Sequence, residues 1–128
     1  MITPSRRTPD ELVAGLRKLA ERHPGRVRLH DGSGANPYLG YLAHADAVMV
    51  TEDSSNMLVE ACATEVPVLR LPMAGSPGKL GTLYSALRER RGVEVWDGKL
   101  PSGRREPLLE TRRVAAVVVE RLNLSRTG

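Results

Sequence analysis

Apolar positions along this chain switch repeatedly between helical spacing and short continuous runs, and that alternation is the main structural signal. Leu12, Val13, Leu16, Leu19 and Ala20 recur on one helical face, and Pro24-Gly25 closes the segment. Thr8-Pro9-Asp10-Glu11 in front of it reads as a capping box, with Thr8 as N-cap and Pro9 in the first turn. Val27 to Leu29 reads as a short strand. Asn36-Pro37 then opens a second helix through Leu39, Leu42 and Ala43. Ala47-Val48-Met49-Val50 is a continuous apolar run, the pattern of a strand buried on both faces and the expected centre of the sheet. Met57, Leu58, Ala61 and Cys62 predict a third helix ending near Glu65. Val68 to Leu71 predicts a strand, Leu80 to Arg90 a helix, Val93 to Trp96 a strand, and the segment up to about Leu122 a closing helix.

Strand and helix alternating in this way predict an α/β fold, a three-layer Rossmann-like lobe with helices covering a parallel sheet. Met1 to Ser5 reads as the end of a strand, so a first strand and helix can be missing. In such a sheet the loops leaving the carboxyl ends of the strands share one edge, where ligands bind. Those loops are Ser5 to Thr8, Asp31 to Asn36, Thr51 to Ser55 and Pro72 to Lys79, and they hold most of the unusual polar residues.

The 128 residues allow one lobe over 1–128 and no second complete domain. Aromatic residues make up 3% of the chain and Phe is absent, so a stacking platform for single-stranded nucleic acid is not expected. The net charge of +4 comes mostly from scattered arginine pairs such as Arg90-Arg91 and Arg112-Arg113, which do not cluster into a nucleic-acid face. Cys62 is the one cysteine, so no intramolecular disulfide forms, and its apolar surroundings suit a buried thiol in a reducing, cytoplasmic setting. Neither a signal pattern nor a run of about 20 apolar residues is present. The three histidines, His23, His30 and His44, lack metal or triad spacing; His30, at the end of a strand, is the one to test as a base. No metal and no cofactor are expected.

Chemistry concentrates after the apolar run, where Thr51, Glu52, Asp53, Ser54 and Ser55 form a polar turn at a helix N-terminus. Free amides and the helix dipole there attract phosphate oxygens. With Asp53 as N-cap, Glu60 lies about two turns on, within reach of a ribose beside a docked diphosphate. Spacing alone favours plain capping and a solvated Glu60. Glu52 and Asp53 would repel an anion unless a cation intervenes, and Arg6 or Arg7 could supply it. Lys79 could close over phosphate, although a surface role is commoner.

Ser5-Arg6-Arg7-Thr8-Pro9, Asn36-Pro37-Tyr38, Ala45-Asp46, Val50-Thr51-Glu52-Asp53-Ser54, Glu60-Ala61-Cys62-Ala63-Thr64 and Pro67-Val68 together resemble the mitochondrial fission (elongated mitochondria) family. Its bacterial members are described as glycosyltransferase-like or nucleotide-sugar enzymes. The likeness implies the C-terminal lobe of a GT-B, metal-independent glycosyltransferase that binds a nucleotide-sugar or nucleotide diphosphate. The candidate substrate contacts are Ser5, Arg6, Arg7, Asn36, Thr51, Glu52, Asp53, Ser54, Ser55 and Glu60. Glu60 to Pro67 is also similar to the donor-binding segment of the N-acetylglucosaminyltransferase that completes the peptidoglycan precursor lipid. There the matching glutamate holds the ribose, which reverses the odds at Glu60. Glu65 departs from both patterns, which usually carry Gly at that helix end. Family members also carry an N-terminal lobe, so this chain alone is expected to lack full catalysis and can self-associate through the uncovered face. The alternative is a non-catalytic interaction module of a fission-type factor, which would bind a partner without regard to nucleotide.

Overall fold

The computed structural model describes residues 1–74 and 78–122, with the Lys79 side chain outside the described part. The proposal that Lys79 closes over phosphate, and the middle of the Pro72 to Lys79 loop, therefore lie outside the described residues. The chain forms two compact units, Met1–His44 and Ala45–Gly128.

In the first unit, helix α1 spans Asp10–Arg22 and helix α2 spans Tyr38–His44. The strand expected at Val27 to Leu29 contracts to one parallel bridge between Ile2 and Leu29. Ile2 donates to the Arg28 carbonyl at 2.7 Å and accepts from the His30 amide at 2.9 Å. Met1 to Ser5 thus has the strand character its sequence suggests, reduced to the minimum. The capping box at Thr8 does not form. Pro9 occupies the N-cap position of α1, because the Thr8 hydroxyl is already engaged by the Ser5 amide at 2.9 Å. The expected cap at Asn36 does form: its Oδ1 accepts from the Tyr38 amide at 3.0 Å.

In the second unit, strand β1 (Val48–Thr51) leads into helix α3 (Ser55–Cys62), followed by strand β2 (Val68–Leu71). A 3-10 turn at Gly78–Leu80 runs into helix α4 (Gly81–Arg91), then strand β3 (Glu94–Val95) and helix α5 (Glu110–Arg121). The three strands pair in parallel in the order β1-β2-β3, with Val50 beside Arg70 and Arg70 beside Val95. A parallel sheet with flanking helices is the Rossmann-like arrangement that the alternation predicts.

Within this sheet the centre is β2, not β1 as expected. Val68 and Leu69 are both buried, as a strand covered on both faces requires, whereas Met49 of β1 is 47% exposed. The core joins Val50, Val68 and Leu69 to Leu58, Ala61 and Cys62 of α3, Leu87 of α4 and Val93. Leu58 is almost wholly enclosed, a burial that contributes about 2 kcal/mol. Helix α3 stops at Cys62, three residues short of Glu65. Helix α4 ends conventionally, with Gly92 in the left-handed region at φ 66° and its amide on the Arg88 carbonyl at 2.9 Å.

Candidate functional site

The turn between β1 and α3 is built by the backbone first. The Glu52 amide donates to the Leu71 carbonyl at 3.0 Å, extending the β1–β2 ladder by one bond. The Ser54 amide then folds back to the Thr51 carbonyl at 3.0 Å, and the Ser54 carbonyl accepts the Leu58 amide at 3.0 Å to start the helix. The N-cap position belongs to Ser54, one residue later than a cap at Asp53 would give, and no side chain caps the helix.

Two elements then converge on Glu52, which follows the end of β1. Its carboxylate pairs with the Arg70 guanidinium from β2, and its backbone carbonyl accepts the Tyr84 hydroxyl from α4 at 2.7 Å. The Tyr84 ring lies under the same guanidinium, 4.5 Å from its centre, a cation–π contact. Glu52 is 7% exposed, so this acid is held inside the protein rather than displayed. Burial, reinforced by the Glu52 charge, pushes the Tyr84 phenol up, and Arg70 pulls it the other way.

The structure brings Thr51, Glu52, Asp53, Ser54 and Ser55 together in this turn. Ser54 is buried, while Thr51, Asp53 and Ser55 are half-buried. Glu60 is exposed, roughly 9 Å along the helix axis from Ser54 at 1.5 Å per residue. Cys62, two residues further on, is fully enclosed, and burial pushes its thiol up despite the nearby Arg91.

Ser5, Arg6, Arg7 and Asn36 belong to the first unit. Arg6 and Arg7 are exposed at the tip of a turn closed by the Thr8 amide on the Ser5 carbonyl at 3.1 Å. The Ser5 hydroxyl accepts from the Arg7 amide at 3.2 Å, so this serine shapes the turn itself. In the Asp31 to Asn36 loop, Asp31 accepts from the Ser33 hydroxyl at 2.6 Å and the Ser33 amide at 2.9 Å. Those two bonds hold its carboxyl below the ordinary carboxylate range.

Sequence reasoning passed over Arg70 and Tyr84. The signal was present: a charged residue inside the apolar run Val68-Leu69-Arg70-Leu71 needs a buried partner. A shallow depression of about 320 Å³ lies elsewhere, between the ends of α4 and α5 around Arg90, Pro107, Glu110 and Arg113, and shares no lining residue with the β1–α3 turn. Among the described residues, no group of three or more His, Cys, Asp or Glu side chains is placed to hold a metal ion. No described helix is long and apolar enough to cross a membrane.

The family described as Mitochondrial fission ELM1 matches residues 1–122 of the chain. The Mitochondrial fission protein ELM1 of Arabidopsis thaliana is 35% identical over 97 residues. That match covers 76% of this chain and 22% of the plant protein, so the chain spans about a fifth of its relative. No solved structure matches the chain.

Proposed function

As the chain belongs to the mitochondrial fission ELM1 family, we propose that it is a GT-B-type donor lobe which binds a nucleotide diphosphate or nucleotide-sugar at the β1–α3 turn. The observation that carries this reading is the pairing of a structured turn at the carboxyl end of a parallel strand with an exposed Glu60 on the helix it opens. Diphosphate oxygens would accept from the first amides of α3 and the Ser55 hydroxyl. The Glu60 carboxylate would accept from the two ribose hydroxyls, as acidic residues do in dinucleotide folds. Ser5, Arg6, Arg7 and Asn36, in the first unit, are separate candidates for contact with the substrate. Of these, Ser5 and Asn36 already spend side-chain acceptors on local backbone amides and would act through the shape of their turns. Turnover would require an acceptor-holding lobe with its own general base, so the lobe alone binds without catalysing. A buried, unpaired Cys62 suits a reducing cytoplasmic location.

The test is calorimetric titration of the folded chain with uridine, guanosine and adenosine diphosphates, beside Glu60→Ala. Saturable binding of one base, lost in the variant, is the expected result.

A second reading rests on a different observation. Helix α5 exposes Val114, Val118 and Val119, each more than 40% accessible, an apolar face of the kind that partners cover. Under it the chain is a non-catalytic interaction module with a part in organelle fission. Absence of binding to all three nucleotides by folded protein would move the assignment there.

A further inference from the structure

We infer that helix α5 is a docking surface for an acidic amphipathic helix of another protein. The inference holds whether or not the β1–α3 turn takes a nucleotide, and it gives the interaction reading above a partner of stated chemistry. No residue of the 12-residue α5 is buried, and within it only Glu110 and Val117 are half-buried. Isolated helices of about this length are marginal in water, and β-branched residues lose rotamer freedom in a helix. Exposed Val114, Val118 and Val119 thus weaken the helix on its own, and only a surface packed against them offsets that loss.

The charges around the face select the partner. Val114, Val118 and Leu122, at i, i+4 and i+8, run along one side of α5, with Ala115 and Val119 beside them. Residues seven apart lie two turns from one another on nearly the same line. Arg112 therefore borders the face on the Val119 side, and Arg121 borders it on the Val114 side. Both arginines are exposed, and neither forms an ion pair among the described residues. Glu120 falls on the far side of the helix, and Glu110 is held by Arg90 and Arg113. An apolar stripe bordered by two cations matches a helix whose own stripe is bordered by carboxylates, as charged e and g positions match across coiled coils. A second copy would bring the same two arginines and a net charge of +4 against its own kind. A lipid surface favours Trp, Phe and Leu on the apolar face, whereas α5 offers valine and alanine with one leucine just past its end.

The experiment measures binding of the full chain to two labelled synthetic peptides by fluorescence anisotropy. Both peptides are helices of about three heptads with the same leucine stripe; one carries Glu at the e and g positions and the other Lys. Wild type should bind the Glu peptide about tenfold more tightly than the Lys peptide, with the preference shrinking as salt rises. Val118→Asp should weaken binding of the Glu peptide by about tenfold or more. Arg112→Glu/Arg121→Glu should invert the preference, whereas Arg17→Glu/Lys18→Glu, at exposed positions of α1, should leave it unchanged. If Val118→Asp does not fold, the inversion still decides. Absence of binding to both peptides, equal binding of both, or a preference that Arg112→Glu/Arg121→Glu leaves intact overturns the inference. So does a wild type that binds neither peptide but dimerises through a contact abolished by Val118→Asp, or that sediments with phosphatidylserine vesicles; either result gives the face another occupant and leaves the interaction reading standing.

Discussion

Arg91 donates its Nε to the Cys62 carbonyl at 3.1 Å, tying the last residue of α4 to the last residue of α3. Its Nη2 reaches the Thr64 carbonyl at 2.6 Å and the Val66 carbonyl at 2.9 Å. A helix end leaves carbonyls without amide partners inside the helix; here the Leu108 amide, at 2.8 Å, and the Arg91 guanidinium both donate to the Cys62 carbonyl, and the same guanidinium reaches the segment that follows. The side chain is 4% exposed, and burial lowers its pKa from the ordinary arginine range.

Replacing Arg91 by Met should therefore destabilise the protein by about 3 kcal/mol, since one buried and two part-buried carbonyls lose charged donors at once. Arg91→Lys should recover little, because a single ammonium cannot span all three carbonyls. Urea unfolding of the two variants checks both statements. A loss under about 1 kcal/mol for Arg91→Met would mean that water replaces the guanidinium readily.

Arg91 also shows where the sequence was legible and where it was not. The second unit's helices and strands follow directly from apolar spacing, and β2 and α4 fall within a residue of the predicted segments. Which strand lies at the centre did not follow, because Ala47-Val48-Met49-Val50 and Val68-Leu69-Arg70-Leu71 differ mainly by one arginine. Periodicity favours the run without a charge. The charge sits in the central strand because Glu52 and Tyr84 receive it there. Capping was half legible: Asn36 binds the amide expected, while Thr8 is diverted to Ser5 by a competing local turn. Long-range side-chain partners such as Arg91 with Cys62, 29 residues apart, leave no periodic trace in the chain. The candidate site was legible as a polar turn before a helix; its Arg70 and Tyr84 supports were not.

Glu110 makes stability depend on pH. It opens α5 and accepts from Arg113 through Nε at 2.9 Å and Nη2 at 2.8 Å, with Arg90 on its other oxygen. The Arg113 bonds first, and Arg90 second, hold the carboxyl below the ordinary carboxylate range. A carboxyl depressed in the folded state stabilises above its unfolded value, and that contribution is lost as the pH falls through the folded value. Glu110→Gln should thus melt below wild type at about pH 7, and the gap should close as the pH falls below the ordinary carboxylate range. Melting temperatures of the two proteins across that interval give the answer. A gap independent of pH would assign the effect to packing.

Tyr84 supports the β1–α3 turn in two separable ways, and paired variants resolve them. The hydroxyl bond to the Glu52 carbonyl is 2.7 Å long, and Tyr84→Phe removes it while keeping the ring beneath Arg70. The carbonyl then lacks that donor, so a loss of about 1 kcal/mol is expected. Tyr84→Ala removes the cation–π contact and the half-buried ring as well, for a total of about 2 to 3 kcal/mol. Chemical denaturation of both variants, repeated in an Arg70→Gln background, separates the contributions. The part of the Tyr84→Ala loss that belongs to the guanidinium should disappear in that background, whereas the Tyr84→Phe loss should persist, because the Glu52 carbonyl is a backbone group that the Arg70 substitution does not remove. If the Tyr84→Phe loss also vanished without Arg70, the arginine would be holding the Glu52 backbone in place for the tyrosine, and the two supports would act as a single unit.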